Sequence, residues 1–413
     1  MVTENDIYAS LEIADHELRL VLGQFKNSRL YVLKVERIAC SGILNQAIVD
    51  ADNVTETLVK AIDNINHNIG IPIKSLILAI PAYDIQRLNQ KVQVKVNGEI
   101  GLHHIQEGVR LALRSSIPQH LEVVNIVINK SIINGVNLKR LPLKEVCDSF
   151  TLDCDLLCTE KTLVYTYASI VENAGLSIAE ISLDNFAIGK EANLFDKSLN
   201  DFIVLIKIER QNTCLSLFAH GKLVSTEVLN VGSQKLIEML ADKYKLPIHV
   251  ADRLLHFNVR LGMALYPDTP IYLWSKDQKN YILTEREVAE VLDRPIQNYL
   301  ESIHQAILPI IEKGKLELVV TGGSAEINGL AEMIGRKTNC ETSVYTSDTL
   351  GVRKASLSCA SGLFYVLKDQ SKLRMYDAAF DMNQYTQLIK QQLAKGSTED
   401  TLSGKLKDIF KRI

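Results

Sequence analysis

The sequence holds one tryptophan, seven cysteines in no paired arrangement, no long apolar run and almost no net charge, and each shortage removes a class of protein. Cys40, Cys147, Cys154, Cys158, Cys214, Cys340 and Cys359 are odd in number and scattered, without CxxC spacing. That fits thiols in a reducing compartment, here taken as cytoplasm, better than a disulfide framework. A net charge of −3 with 23% charged residues leaves no global field for nucleic acid or another polyanion. Met1 to Asp6 is polar and acidic, and no apolar stretch approaches the roughly 18 residues of a membrane span, so neither a signal peptide nor a spanning helix is expected. What remains is a 413-residue chain with 46% hydrophobic residues, enough for two or three domains with their own cores.

Periodicity gives the organisation. Ile7 to Ile13 and Leu18 to Phe25 read as strands around a turn at Ala14 to Glu17, Arg29 to Ile38 continues the sheet, Asn53 to Asn68 has helical spacing, and Ser75 to Ile80 is a buried-type strand. Between Tyr83 and Thr159 the texture changes to strands at Gln90 to Val96, Val123 to Ile128 and Thr151 to Leu157 around a helix at Ile105 to Ser115, as in a small α+β insertion. The first module resumes with a helix at Leu163 to Asn173, a strand at Ile178 to Leu183 and a helix at Asn185 to Phe195. Phe202 to Ile208, Thr213 to Phe218 and Lys222 to Leu229, with a tight turn at His220-Gly221, then repeat the opening pattern. Two hairpin-led α/β halves in one chain are the mark of an internal duplication. Helical periodicity follows at Gln234 to Tyr244, Ile248 to Phe257 and Glu285 to Lys313, a buried-type strand at Leu316 to Thr321, and a helix at Ala325 to Arg336.

Beyond Leu367 the chain turns polar, and Asp369 to Thr401 reads as a linker. It leads to Leu402, Leu406, Ile409, Phe410 and Ile413, one apolar stripe at i, i+4, i+7, i+8 and i+11, flanked by Lys405, Lys407, Lys411 and Arg412. An isolated helix of about 12 residues is marginal in water, so it should form where its stripe is buried. Docking on the protein's own core would not need so long a polar tether. A Phe/Leu/Ile stripe with basic flanks suits an anionic lipid surface, with Leu402, Lys405, Leu406, Ile409, Phe410, Lys411, Arg412 and Ile413 as the contacts. Each cation there contributes about 1 kcal/mol, so one copy binds weakly and lasting attachment calls for self-association.

Leu318 to Thr321 followed by Gly322, Gly323, Ser324 and Ala325 is a strand ending in a Gly-Gly turn, read as opening a helix. Glycines there allow close backbone approach to a phosphate or adenosine. Together with the hairpin Tyr8 to Gln24, the insertion, the second hairpin Phe202 to Val231 with Gly232, the stretch Val319 to Leu330, and the tether with its terminal helix, this resembles the FtsA family of bacterial actin-like division proteins over nearly the whole chain. The resemblance implies an α/β, actin-like fold of two related halves: residues 1–82 and 160–198 for the first, 199–230 and 300–368 for the second, with an inserted subdomain at 83–159. It further implies a helical subdomain at 231–299 that recruits FtsZ, a polar linker at 369–400 and a membrane-targeting amphipathic helix at 401–413. The implied partners are FtsZ, further copies of the chain, anionic lipid and other division proteins, with no nucleic acid. The implied place is the inner face of the cell membrane at the division septum.

The resemblance also implies ATP with Mg²⁺, and on it Glu12, Lys207, Gly232, Gly322, Gly323 and Ser324 are the candidate cofactor-binding residues, with Arg210 a second phosphate partner. The phosphate turns depart from the family pattern. Glu12-Ile13-Ala14-Asp15 stands where an acid and small residues should hold metal and phosphate, and Lys207 to Thr213 stands where a run of glycines should. Ala251-Asp252-Arg253 departs likewise at the base and ribose contacts. The expectation is weak or structural nucleotide binding without efficient hydrolysis, and no catalytic residue; the rivals are a pilus-type assembly protein and a sugar or acetate kinase of the same superfamily. Cys154 and Cys158 are read as structural, no metal is expected, His103-His104 is read as a surface or capping pair, and Trp274 as core or partner patch.

Overall fold

A computed structural model describes residues 6–276 and 279–373. The terminal helix and most of the linker expected above lie outside the described residues.

The first half opens with β1 (Ile7–Ile13), β2 (Glu17–Lys26) and β3 (Arg29–Ala39), followed by the two-residue strands β4 (Ile43–Leu44) and β5 (Ala47–Ile48), helix α1 (Ala51–Ile69) and β6 (Ser75–Ile80). Helix α1 buries Val54, Leu58, Ala61, Ile62 and Ile65, spaced by three or four residues; Asp50 caps its first turn through the Asn53 amide and Gly70 ends it in the left-handed conformation. The inserted subdomain consists of β7 (Gln86–Glu99), α2 (Leu102–Leu113), β8 (Leu121–Ile133), β9 (Val136–Leu138) and β10 (Val146–Glu160). The chain returns through α3 (Lys161–Asn173), β11 (Ser177–Leu183), α4 (Asp184–Glu191) and the short α5 (Leu194–Lys197). The second half comprises β12 (Phe202–Ile208), β13 (Thr213–Ala219), β14 (Lys222–Leu229), α6 (Gln234–Tyr244), α7 (Ile248–Arg253), β15 (Pro270–Lys276), β16 (Lys279–Thr284), α8 (Glu285–Ile311), β17 (Leu316–Thr321), α9 (Leu330–Thr338), β18 (Glu341–Val344) and α10 (Ser358–Gln370).

The duplication read from the pattern is present in the sheets. The first runs β3-β2-β1-β6-β11 and the second β14-β13-β12-β17-β18, each an antiparallel three-stranded meander followed by two parallel strands. The parallel strands β6 and β17 are almost wholly apolar because both of their faces are covered. The insertion contributes a third sheet, β7-β10-β8-β9, with its own apolar cluster around Phe150, Leu152 and Leu156. Helix α4 carries the chain from the first half to the second and α10 brings it back to pack on β1 and β6; the two helices cross closely, with Gly362 against the Ala187 carbonyl.

Three of the boundaries that differ from expectation bear on the domain limits and the site. The Gly-Gly turn does not open a helix: residues 322–329 form turns, and α9 starts at Leu330 after Gly329 at φ 84°. The break placed at residues 299/300 falls inside α8, whose apolar face continues through Tyr299, Leu300 and Ile303. Helix α10 extends to Gln370, two residues into the expected linker, because the buried Gln370 side chain donates to the Ile126 carbonyl at 2.8 Å and accepts from its amide at 3.2 Å.

Candidate functional site: the cleft between the halves

The ends of β1 and β12 meet at the floor of the cleft. Glu12 is the sixth residue of β1 and Lys207 the sixth of β12, each on an otherwise largely apolar strand. The Lys207 Nζ donates to Glu12 Oε1 at 2.6 Å and to Asp184 Oδ2 at 2.7 Å. Asp184 begins α4, so one ammonium joins a strand of the second half to a strand and a helix of the first. Beside it, Arg19 of β2 donates from both terminal nitrogens to the two oxygens of Glu209 at 2.8 Å each, and from Nε to Glu17 at 2.7 Å. Its Nη1 also lies 3.3 Å from Glu12, and Arg37 pairs with Glu17 from the rim. Arg19 is 0% exposed, Glu12 2%, Glu209 4% and Lys207 6%.

Burial on this scale favours neutral forms, yet the pairing reverses it. Burial pulls the Lys207 ammonium down, but Asp184 and Glu12 hold it well above the ordinary lysine value. Arg19 is likewise held high against burial by Glu209 and Glu12. Glu209 is pushed up by burial and then down to about 2 by the aligned guanidinium. Lys207, Arg19 and Glu209 therefore stay charged. Further links cross the cleft: the Gln211 amide donates to Asp15, the Asn45 amide to Gln211 Oε1, and Gln46 Nε2 to Asn212.

The sequence-chosen residues all lie around this cluster, but their neighbours are protein. A Cβ on Gly232 would stand 2.3 Å from the Glu209 carbonyl, and one on Gly322, at φ 98°, 2.4 Å from the Ile208 carbonyl. The Ser324 amide donates to that same Ile208 carbonyl, and its hydroxyl lies 2.7 Å from Ser233 Oγ. A Cβ on Gly323 would meet Arg19 and Glu209, each at 2.8 Å. The room these glycines leave is thus taken by the β12–β13 turn and by the Arg19–Glu209 pair. Arg210, expected at a phosphate, bonds Asp252 at 2.5 Å. Over Gly323 lies a cavity of about 130 Å³ lined by His16, Arg37, Arg210, Asp252, His256 and Lys354 among others, and a separate one of about 540 Å³ opens beside Gly232, lined by Lys235, Arg294 and Tyr299 among others. The cavity over Gly323, where phosphates would lie, is smaller than the roughly 300–1,000 Å³ typical of small-molecule sites. The residues present therefore do not fit a magnesium–triphosphate complex: the would-be metal carboxylate holds an ammonium, and a guanidinium covers the glycine turn.

Asp15, His16 and Glu209 bring one potential ligand atom each within 4.8 Å of one another. Both Glu209 oxygens accept from Arg19, and Asp15 lies 2.6 Å from His16 Nδ1 while accepting from Gln211, so the arrangement is a hydrogen-bonded one. Cys154 and Cys158 are buried in β10, where burial raises both thiols to about 12. His104 caps α2 by accepting from the Gly101 amide, and Trp274 stacks between Tyr272 and Tyr281 on the β15–β16 hairpin. Arg19 and Asp184 escaped sequence reasoning; the signal available was a single charge amid apolar residues, as in Leu18-Arg19-Leu20 and Leu183-Asp184.

Comparison with known proteins places this geometry in context. No protein-family model matches the chain. It is 23% identical over 394 residues to the cell division protein FtsA of Bacillus subtilis, covering 92% of this chain and 88% of that one, and 20–22% identical to FtsA proteins of Staphylococcus epidermidis and Enterococcus hirae. Among solved structures it superposes on the PilM-PilN type IV pilus biogenesis complex with a TM-score of 0.58 at 12% identity, covering 91% of this chain and all of that one. MreB5 of Spiroplasma citri bound to AMPPNP gives a TM-score of 0.52 at 12% identity over 90% of this chain and 98% of that one. The fold is actin-like.

Proposed function

We propose that this chain, which is FtsA-like over most of its length, has a cell-division role as an actin-like membrane adaptor, self-associating and tethering FtsZ filaments to the inner face of the cell membrane at the septum. The observation that carries this reading is the similarity to FtsA proteins along 85–92% of the chain. Among the described residues no helix is long and apolar enough to cross a membrane, so attachment is assigned to the stripe Leu402, Leu406, Ile409, Phe410 and Ile413 with its basic flanks. FtsZ is assigned to the segment 231–299, whose β15–β16 hairpin leaves Leu273 and Ile282 more than half exposed. The pilus reading is supported by fold similarity alone, and a kinase would need an open phosphate site where Lys207 and Arg19 stand. In this reading the protein does not turn over ATP.

The test is vesicle flotation and FtsZ co-sedimentation with the full chain. Binding to anionic vesicles that Phe410→Glu abolishes, and FtsZ pelleting with the vesicles, are expected. Equal flotation of wild type and Phe410→Glu would remove the anchor, and no FtsZ recruitment would remove the tether.

A further inference from the structure

We infer that the ion cluster in the cleft takes the place of a nucleotide and its metal as the bridge between the two halves, with the Lys207 ammonium as a built-in counter-ion shared by Glu12 and Asp184.

The duplicated halves offer corresponding positions to the cleft. At the sixth residue of the leading strand one half places a carboxylate and the other an ammonium, and the two meet at 2.6 Å. Two buried carboxylates around one point demand a cation, and that point is filled by a side chain carried on β12. A divalent ion would have to expel Lys207, leaving its charge buried without a partner.

The same holds for the anion. Arg19 gives its two-pronged face to Glu209, a side chain of the β12–β13 turn, directly above Gly323. A triphosphate could reach that turn only by displacing Glu209 from Arg19 and lying beside Glu12, Glu17 and Asp184, all within the same cluster. Protein carboxylate and guanidinium thus hold the places that ligand and protein would divide between them. Both pairs span the halves, as do the bonds of Asp15 to Gln211 and Gln46 to Asn212. The closed cleft is therefore a property of the chain itself, present at every nucleotide concentration. Association with a filament or a membrane is then set by protein concentration and partners rather than by a nucleotide cycle. Only that last consequence rests on the proposed function; the ion bridge itself does not, and a failed flotation or FtsZ experiment leaves it standing.

The experiment uses the full chain in calorimetry and thermal unfolding with ATP, ADP or AMPPNP at millimolar concentration, with Mg²⁺ or with EDTA. Wild type should give no saturable heat and no rise in Tm. Lys207→Ser, which leaves Glu12 and Asp184 facing each other, should melt lower than wild type in EDTA and recover part of that loss when Mg²⁺ or Mn²⁺ is added, an effect wild type lacks. If Lys207→Ser does not fold, Lys207→Gln keeps the stem without the charge and is read the same way. Saturable Mg²⁺-dependent ATP binding by wild type overturns the inference, as does a charge-free variant that melts like wild type or gains nothing from a divalent ion.

Discussion

The side chains of Glu12 and Lys207, 195 positions apart in sequence and at the same place in their respective half-sheets, meet at 2.6 Å across the cleft. A buried pair of this kind is weak evidence for stability in itself, but breaking one side of it is severe, since the other charge stays buried.

Arg19→Met should therefore lower unfolding free energy by roughly 3–5 kcal/mol, because Glu209 and Glu17 lose their buried partner. The double variant Arg19→Met with Glu209→Met should recover a large share of that loss. Urea unfolding of wild type, the two single variants and the double variant gives the coupling; additive effects would show that the pair is not a unit.

Acid should loosen the cleft. Glu209 in the folded chain sits at about 2, below its ordinary 4.5. The native state therefore releases this proton more readily than the unfolded one, so the contribution is complete above 4.5 and disappears as pH falls toward 2. Its full size is up to about 3 kcal/mol. Glu209→Gln should be less stable than wild type near neutrality, and its stability should fall less steeply through that acid window in a series of urea midpoints.

Glu191, at the end of α4, works in the opposite direction. Burial raises its carboxyl to about 7 although the Ser361 hydroxyl donates to its Oε1 at 2.8 Å, and among the described residues its buried Oε2 has no hydrogen-bond partner. The native state keeps the proton between 4.5 and 7, so this group's contribution is present below 4.5 and is lost as pH rises through 7. Glu191→Gln should stabilise the protein by about 1–3 kcal/mol at alkaline pH and change little in mild acid. Thermal unfolding across the pH range checks it; a constant difference would show that Glu191 is not the titrating group.

Gly362→Ala tests the crossing of the two connecting helices. The added Cβ would stand 2.2 Å from the Ala187 carbonyl oxygen, which forces α10 and α4 apart, at roughly 1–3 kcal/mol. Unchanged unfolding would mean that the crossing tolerates separation.

Sequence periodicity was a good guide where an element buries one face or a short strand buries both. The limits of β6, β17 and α6 coincide with the expected ones, because Ser75-Leu76-Ile77-Leu78-Ala79-Ile80 and its counterparts end at polar or turn residues. Helix α10 gave no such signal: Ser358 to Gln370 is buried on nearly every side, so it lacks a polar stripe. The six cofactor candidates lie around one cleft, yet what they touch could not be read from the sequence. Arg19 and Glu209 are 190 residues apart, and only the closing of the two halves decides whether a guanidinium or a phosphate lies over Gly323. The Gly-Gly turn misled for a local reason, since the next glycine, Gly329, adopts the left-handed conformation and postpones α9.

Gln370 grips the Ile126 backbone from both sides as a neighbouring strand would, and Gln106 of the insertion reaches the Lys372 carbonyl. A pull on the chain beyond Leu373 is therefore not borne by α10 alone. Part of the load passes sideways into β8 and α2, so tension on the tail would be felt by the inserted subdomain before the central helices yield.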